Sequence, residues 1–193
     1  NNLNSKLYIA SDLIQEVFES DLKGSYQQNN IKTAVQTIKI LQELNFLITD
    51  NDIKKGLNSV VKNTKLLGRW QVLQNEPKII CDTGHNNEGL YYVINQLKEE
   101  TYENLHIVMG VVNDKDLESI LPLFPKDAIY YFCKPNIPRG LDADSLSANA
   151  INYGLEGKSY NSVEKALKSA KKTAKKDDLI FIGGSTFVVA EVI

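Results

Sequence analysis

GRWQVLQNEPKIICDTGHNN, residues 68–87, joins two short apolar runs through a turn and then opens a helix. Trp70, Val72 and Leu73 form a short β-favouring run beside Arg69. Asn75, Glu76 and Pro77 supply turn chemistry, and Lys78 to Cys81 is a second apolar run. That run stops at Asp82, followed by Thr83, Gly84, His85 and Asn86, and a helical pattern opens near Glu88. In an open α/β sheet, ligands bind beyond the carboxyl ends of strands, where helix N-termini point their free N–H groups. Asp82 and His85 are expected on that edge. Arg69 precedes the first strand and reaches the edge only if the chain folds back or if it belongs to a mobile linker. A strand-end Asp can accept hydrogen bonds from ribose hydroxyls, and an Arg grips phosphate oxygens with a planar fork of donors. The pattern points to a nucleotide. Its plainer reading is an Asp capping the next helix, a surface Arg and a loop His.

Downstream the rhythm alternates. A helix is expected over Glu88 to Glu99, a buried strand over Leu105 to Met109, and a helix over Leu117 to Leu123 with Pro122 near its end. A strand over Ala128 to Cys133 exits into the polar loop 134–140. Helices over Asp142 to Tyr153 and Val163 to Lys175 flank a short strand, Lys158 to Tyr160. Leu179 to Ile182 is the last strand, and Phe187 to Val192 is either a helix or an edge strand. Such alternation argues for an α/β fold, a mainly parallel Rossmann-like sheet with helices on both faces. Right-handed crossovers would bring the strand exits to one edge.

Upstream, Lys6 to Ala10 reads as a strand, and Ser11 to Phe18 as a short amphipathic helix or a connection. A loop rich in Gly and amides, 21–30, leads into a helix over Ile31 to Leu44. Ile31, Ala34, Val35, Ile38, Leu41 and Leu44 form its apolar stripe. Gln27, Asn29 and Asn30 stand at its start, where amides cap a helix or recognise an amide-bearing ring. A second helix begins after Thr49-Asp50-Asn51, with Ile53, Leu57, Val60 and Val61 inward. Two helices do not bury a core alone, so this region is expected to pack against something further. The chain has no initiating Met and opens on Asn1, Asn2 and Asn4, which reads as a fragment.

Composition sets bounds. With 193 residues the chain is one good-sized domain, or one domain plus part of another. Lys and Arg number 22 against 24 Asp and Glu, for a net charge of −2, so nothing argues for nucleic acid. Lys168, Lys171, Lys172, Lys175 and Lys176 read as the solvated face of a helix whose other face is Ala166, Leu167, Ala170 and Ala174. Cys81 and Cys133 fall inside apolar runs and suit a reducing, cytoplasmic setting, with no disulfide framework. No apolar run approaches membrane-spanning length.

Four strand exits are expected to converge: Asp82 with His85, Asn113 to Asp116, Pro138-Arg139, and Gly183-Gly184-Ser185. The glycine turn can present backbone N–H groups and the Ser hydroxyl to an anion. No G-x-G-x-x-G, Walker A, nucleophile elbow or His-rich metal cluster is present.

Five segments in order carry a family resemblance: GRWQVL from Gly68, DTGHN from Asp82, GVVNDKD from Gly110, IPR from Ile137 and FIGGSTFVVAE from Phe181. They resemble the folylpolyglutamate synthase/dihydrofolate synthase family of the Mur ligase superfamily, and the fold would be its C-terminal domain. LKGSYQQNN, 22–30, looks like the end of that family's central ATPase domain, so the division expected is 1–67 and 68–193. The resemblance implies an ATP-dependent amide ligase acting through an acyl phosphate, with dihydropteroate or folate and L-glutamate as substrates. It implies ATP contacts at Asn30 with Gln27 beside the adenine, Arg69 on the phosphates and Asp82 on the ribose. His85 would orient phosphate or glutamate, and Lys115 and Ser185 would hold the incoming amino acid's carboxylates. Mg²⁺ would be used, with its ligands and the P-loop mostly outside this sequence, which alone would then be inactive. Asn87 departs from the Pro that many members carry there. A monomer with no nucleic-acid or membrane partner is expected. Competing readings are a Mur ligase acting on peptidoglycan precursors, a non-catalytic nucleotide-binding module, and an α/β interaction domain whose polar exits are only caps and turns.

Overall fold

The computed structural model describes residues 6–193, so Asn1, Asn2 and Asn4 lie outside the described residues. The chain forms two compact units, Asn1–Leu66 and Leu67–Ile193.

The first unit is helical: α1 (Ala10–Leu13), α2 (Gln27–Glu43), α3 (Asp50–Leu57) and α4 (Val60–Thr64). Ile14, Phe18, Ile31, Val35 and Ile53 form a small buried cluster, with Ile38, Ile48 and Leu57 packed against it. Residues 6–9 are irregular and form no strand, which corrects the expectation there. Helix α2 starts at Gln27 rather than Ile31, because Gly24 O already accepts the Gln27 N–H at 2.9 Å. Its N-cap is Tyr26 with no side-chain capping bond, so Gln27 and Asn30 sit in the first turn. Ala34 and Leu44 are exposed, so the buried stripe is narrower than the sequence suggests. The expected second helix is broken in two. Thr49 and Asp52 close a capping box at the start of α3. The carboxylate of Asp21 then accepts the N–H groups of Val60 and Val61 at 3.0 and 2.9 Å, which supplies a fresh N-terminus for α4.

The second unit is a six-stranded sheet in the order β1-β2-β6-β3-β4-β5. Its elements are β1 (Gln71–Asn75), β2 (Lys78–Cys81), α5 (Asn87–Glu99), β3 (Leu105–Met109), α6 (Leu117–Ile120), β4 (Ile129–Cys133), α7 (Ala143–Ile151), β5 (Gly157–Tyr160), α8 (Val163–Thr173), β6 (Leu179–Gly183) and α9 (Thr186–Ala190). All pairs are parallel except β1 with β2, a hairpin in which Gln71 faces Cys81 and Asn75 faces Lys78. A 3₁₀ turn, Leu121–Leu123, follows α6, because Pro122 has no N–H to continue an α-helical ladder. The last segment, left open by its pattern, is helical in α9.

Successive residues of a strand face opposite sides of a sheet. Ile79, Cys81, Val108, Tyr131, Cys133, Ile180 and Ile182 pack with Val163, Ala166 and Ala170 of α8 and with Val188 and Val189 of α9. The intervening Ile80, Ile107, Met109, Phe132 and Phe181 are equally buried, so the other face is covered too. This is why β2, β3, β4 and β6 read as continuous apolar runs rather than alternating ones. The five lysines near the end of α8 are exposed opposite Ala166 and Ala170. Among the described residues no helix is long and apolar enough to cross a membrane.

Candidate functional site

The carboxyl edge of the sheet is built around Asp82, the residue after β2. Its side chain is fully buried. One oxygen, Oδ2, accepts the backbone N–H of Trp70 at 2.6 Å, and Oδ1 accepts that of Gly84 at 2.7 Å. The Thr83 N–H donates to Gly68 O at 2.9 Å. These bonds tie the chain entering β1 to the loop leaving β2. Because β1 is antiparallel to β2, its first residues lie at the carboxyl end of β2. Arg69 therefore reaches the edge by hairpin geometry. It is half-buried, and among the described residues it makes no ion pair.

The entry is tightly wound. Gly68 has φ +70°, and a Cβ there would stand 2.8 Å from Thr83 Cγ2. Trp70 has φ +48°, an unusual conformation for a bulky residue, and is buried. The strand begins one residue later than its composition suggests, because Trp70 N–H serves Asp82 instead of a ladder. Thr83 is also buried, and its Oγ1 has no hydrogen-bond partner. An orphaned buried hydroxyl is uncommon in a folded protein.

His85 is exposed, and its Nδ1 lies 3.0 Å from Thr83 O. A carbonyl oxygen only accepts, so Nδ1 carries the hydrogen. In the neutral ring Nε2 is then left as an acceptor. Asn86 caps α5 by accepting the Gly89 N–H at 2.9 Å.

The exits of β2, β6, β3 and β4 surround a pocket of about 460 Å³ lined by His85, Asp114, Lys115, Arg139, Ser185 and Phe187, among others. Two devices hold these loops. Gly184, at φ +89°, brings the β6 exit so close to β3 that a Cβ would stand 2.8 Å from Gly110 O. On the other side Asn113 N–H donates to Arg139 O at 2.9 Å, Leu141 N–H to Val111 O at 2.9 Å, and Val112 bridges Gly140. Ser185 is buried and caps α9, its Oγ accepting the Phe187 N–H at 3.2 Å. Lys115 is half-buried on the β3 exit. The Arg139 guanidinium lies 5.1 Å from the Phe187 ring centroid and 3.3 Å from Asp114 Oδ2.

Of the candidate residues, His85, Lys115 and Ser185 share this pocket, while Arg69 and Asp82 lie at the β1/β2 end of the same edge. Gln27 and Asn30 belong to the helical unit, where Asn30 Nδ2 donates to Gln27 Oε1 at 3.0 Å. Gln27 is buried and Asn30 is exposed. Arg139 and Phe187 fall inside the segments that carry the resemblance, which implies no role for either; a cation at a strand exit is the signal the sequence offers for Arg139. Burial and the adjacent Asp82 push the Cys81 thiol up to about 12, and burial also raises that of Cys133, so neither is a reactive thiol. Among the described residues no group of three His, Cys, Asp or Glu comes together to hold a metal ion.

Residues 68–186 match the family model described as Mur ligase, glutamate ligase domain. The chain is 33% identical over 172 residues to a probable bifunctional folylpolyglutamate synthase/dihydropteroate synthase of Haloferax volcanii, covering 88% of the chain and 20% of that protein. It is 29% identical to the dihydrofolate synthase/folylpolyglutamate synthase of Escherichia coli, covering 82% of the chain and 36% of that enzyme. E. coli FolC in complex with DHPP and ADP superposes with a TM-score of 0.77 at 25% identity, covering 93% of the chain and 40% of FolC. A bifunctional folylpolyglutamate synthase/dihydrofolate synthase with Mn, AMPPNP and L-glutamate bound gives a TM-score of 0.72 at 25% identity, covering 91% of the chain and 39% of that structure. The chain thus spans between a fifth and two-fifths of the length of these relatives. It belongs to the Mur ligase family through its glutamate ligase domain, and its relatives there are folylpolyglutamate and dihydrofolate synthases.

Proposed function

We propose that this chain is part of an ATP-dependent amide ligase that joins L-glutamate to dihydropteroate, to folates, or to both. The observation that carries the reading is the meeting of His85, Lys115 and Ser185 in one pocket at the sheet edge that also carries Arg69. In this reading residues 1–67 are the end of the ATPase domain and residues 68–193 are the ligase domain. In this reading the protein works as a monomer, and two buried free thiols suit the cytoplasm.

A carboxylate does not undergo amide formation directly, because its oxygen is a poor leaving group. An acceptor carboxylate oxygen attacks the γ-phosphorus of ATP, the bond to ADP breaks, and an acyl phosphate forms. The amine nitrogen of glutamate then attacks the acyl carbon, inorganic phosphate leaves, and the nitrogen loses a proton. Arg69 meets charge on the transferring phosphoryl group with a guanidinium that forms no ion pair among the described residues. Lys115 and the Ser185 hydroxyl hold a carboxylate of the amino acid. His85, presenting Nε2 as acceptor, takes the amine proton. Asp82 acts by holding Arg69 and His85 on one edge; a direct ribose contact would need its buried carboxylate uncovered. Gln27 and Asn30 offer amides suited to an adenine. The described residues do not by themselves fit a metal site, so no step here passes through Mg²⁺.

The test is ADP release by the full-length protein with ATP, Mg²⁺ and L-glutamate, comparing dihydropteroate, a reduced folate and a UDP-linked peptidoglycan precursor. Release that depends on either pterin supports the reading and separates its two activities. Release with the peptidoglycan precursor alone keeps the mechanism and overturns the acceptor. No release with any acceptor leaves a nucleotide-binding module as the better account.

A further inference from the structure

We propose that Asn87 is a positioning residue: its side-chain amide ties the loop that carries His85 to the loop that carries Lys115, and so sets the spacing of base and cation for amide formation. This rests on the ligase reading above and concerns the second of its two chemical steps.

Three observations carry it. The first is the bond itself. Asn87 Nδ2 donates to the backbone carbonyl of Ser119 at 2.7 Å, between residues 32 apart in the chain. Asn86 already caps α5 by accepting the Gly89 N–H, so the Asn87 amide is not spent on starting the helix. It stands at the first helical position and reaches out of its own helix.

The second is what the bond joins. Ser119 is fastened to Asp116 twice, its N–H donating to Asp116 Oδ1 at 3.3 Å and its Oγ to Asp116 O at 3.0 Å. Asp116 follows Lys115, and Asn87 stands two residues after His85. The strands that lead to these loops, β2 and β3, are not neighbours, because β6 lies between them. No shared ladder sets the distance between their exits. The Asn87 amide closes that span directly, beside the pocket that His85 and Lys115 line.

The third is why the acceptor is open to it. Pro122 stands three residues after Ser119 and has no N–H to return to that carbonyl, as a 3₁₀ turn would require. Asn87 supplies a donor that the local backbone lacks there. Its side chain is exposed, so water competes for both groups and the bond adds little to overall stability. Its effect falls on geometry, where a misplacement of about 1 Å can cost roughly 10²-fold in rate.

The test uses the full-length protein with ATP, Mg²⁺, L-glutamate and the acceptor that wild type turns over. Asn87→Ala, Asn87→Asp and Asn87→Gln are compared with wild type by acyl phosphate trapped with hydroxylamine, by glutamate incorporated, and by unfolding temperature. Asn87→Ala is expected to lower kcat for incorporation by about tenfold, while trapping and the KM for ATP stay within about threefold. Asn87→Asp suits a helix N-terminus electrostatically, so α5 keeps its start, but it sets a carboxylate against the Ser119 carbonyl. Its incorporation falls at least as far as that of Asn87→Ala, with no drop in unfolding temperature. Asn87→Gln keeps an amide donor and recovers part of the rate. If all three variants incorporate glutamate at the wild-type rate, packing of α5 against α6 sets the spacing and the proposal is wrong. It is equally wrong if trapping and incorporation fall together, or if the loss follows a lowered unfolding temperature, since Asn87 then only braces the fold. A wild-type protein that is inactive with every acceptor overturns the ligase reading, and this proposal with it.

Discussion

The backbone N–H of Trp70 donates to Oδ2 of Asp82 at 2.6 Å, joining the residue that follows Arg69 to the residue that opens the DTGH loop. The other carboxylate oxygen holds Gly84 N–H at 2.7 Å, so one buried side chain sets both halves of the β1/β2 end of the edge. In Asp82→Asn one of those N–H groups faces an NH₂ and loses its acceptor. A buried donor left unpaired costs about 1–3 kcal/mol. We expect a lower unfolding temperature and an ATP KM raised by about tenfold or more, since a shift of roughly 1.4 kcal/mol is a factor of ten. Thermal unfolding and initial rates on the same preparation check both. A variant as stable as wild type would show that the two bonds contribute little.

Arg69 is half-buried and forms no ion pair among the described residues, so its removal is expected to leave folding intact. In the full-length protein Arg69→Ala should lower kcat by about three orders of magnitude, the usual loss for a cation on a transferring phosphoryl group. Arg69→Lys recovers only part, because an ammonium lacks the planar fork. A loss below about threefold would remove Arg69 from the machinery.

His85→Gln separates the two chemical steps. The acyl phosphate needs no proton acceptor at the amine, whereas amide formation does. The variant should still form an intermediate that hydroxylamine traps, while glutamate incorporation falls by roughly 10²- to 10⁴-fold. Equal losses in trapping and incorporation would place His85 on the phosphate instead.

Much of this arrangement was legible in the residues, and where it was not the reasons are physical. Near-continuous apolar runs such as Leu105–Met109, interrupted by His106, announce a strand buried on both faces, and the observed β3 has those bounds. Pro122 announces a weakened helix end. The sequence leaves the place of Arg69 open, because it depends on β1 running antiparallel to β2, a property of pairing that local composition does not carry. The burial of Asp82 was also hidden: a strand-end carboxylate looks the same whether its lone pairs go to a ligand or to Trp70 and Gly84. In the helical unit the amide-rich entry is visible in the sequence, but the apolar stripe starts one turn after the helix does, since the Gly24–Gln27 bond that starts α2 is a backbone event.

The far end of the sheet offers a test of stability that is independent of the site. Asp178 is buried just before β6. Its carboxylate accepts from Lys175 N–H at 2.7 Å and from both the backbone N–H and Nδ2 of Asn104, at 3.0 and 2.9 Å. It also meets His106 Nε2 at 3.2 Å, and the other His106 nitrogen lies 3.0 Å from the Tyr131 hydroxyl. Burial alone would raise the Asp178 carboxyl, but these donors outweigh it and hold it at about 2, below the ordinary 3.8. A group whose folded value is depressed stabilises the protein above its unfolded value and loses that contribution as the pH falls through the folded one. Asp178 should therefore contribute fully above about pH 5, with the loss running from about pH 4 down to pH 2. The contribution is of the order of 2 kcal/mol at neutral pH. Asp178→Asn should be less stable at pH 7, and its urea midpoint should fall less steeply than that of wild type between pH 4 and pH 2. Parallel pH profiles for the two proteins would mean that other carboxylates carry the acid sensitivity.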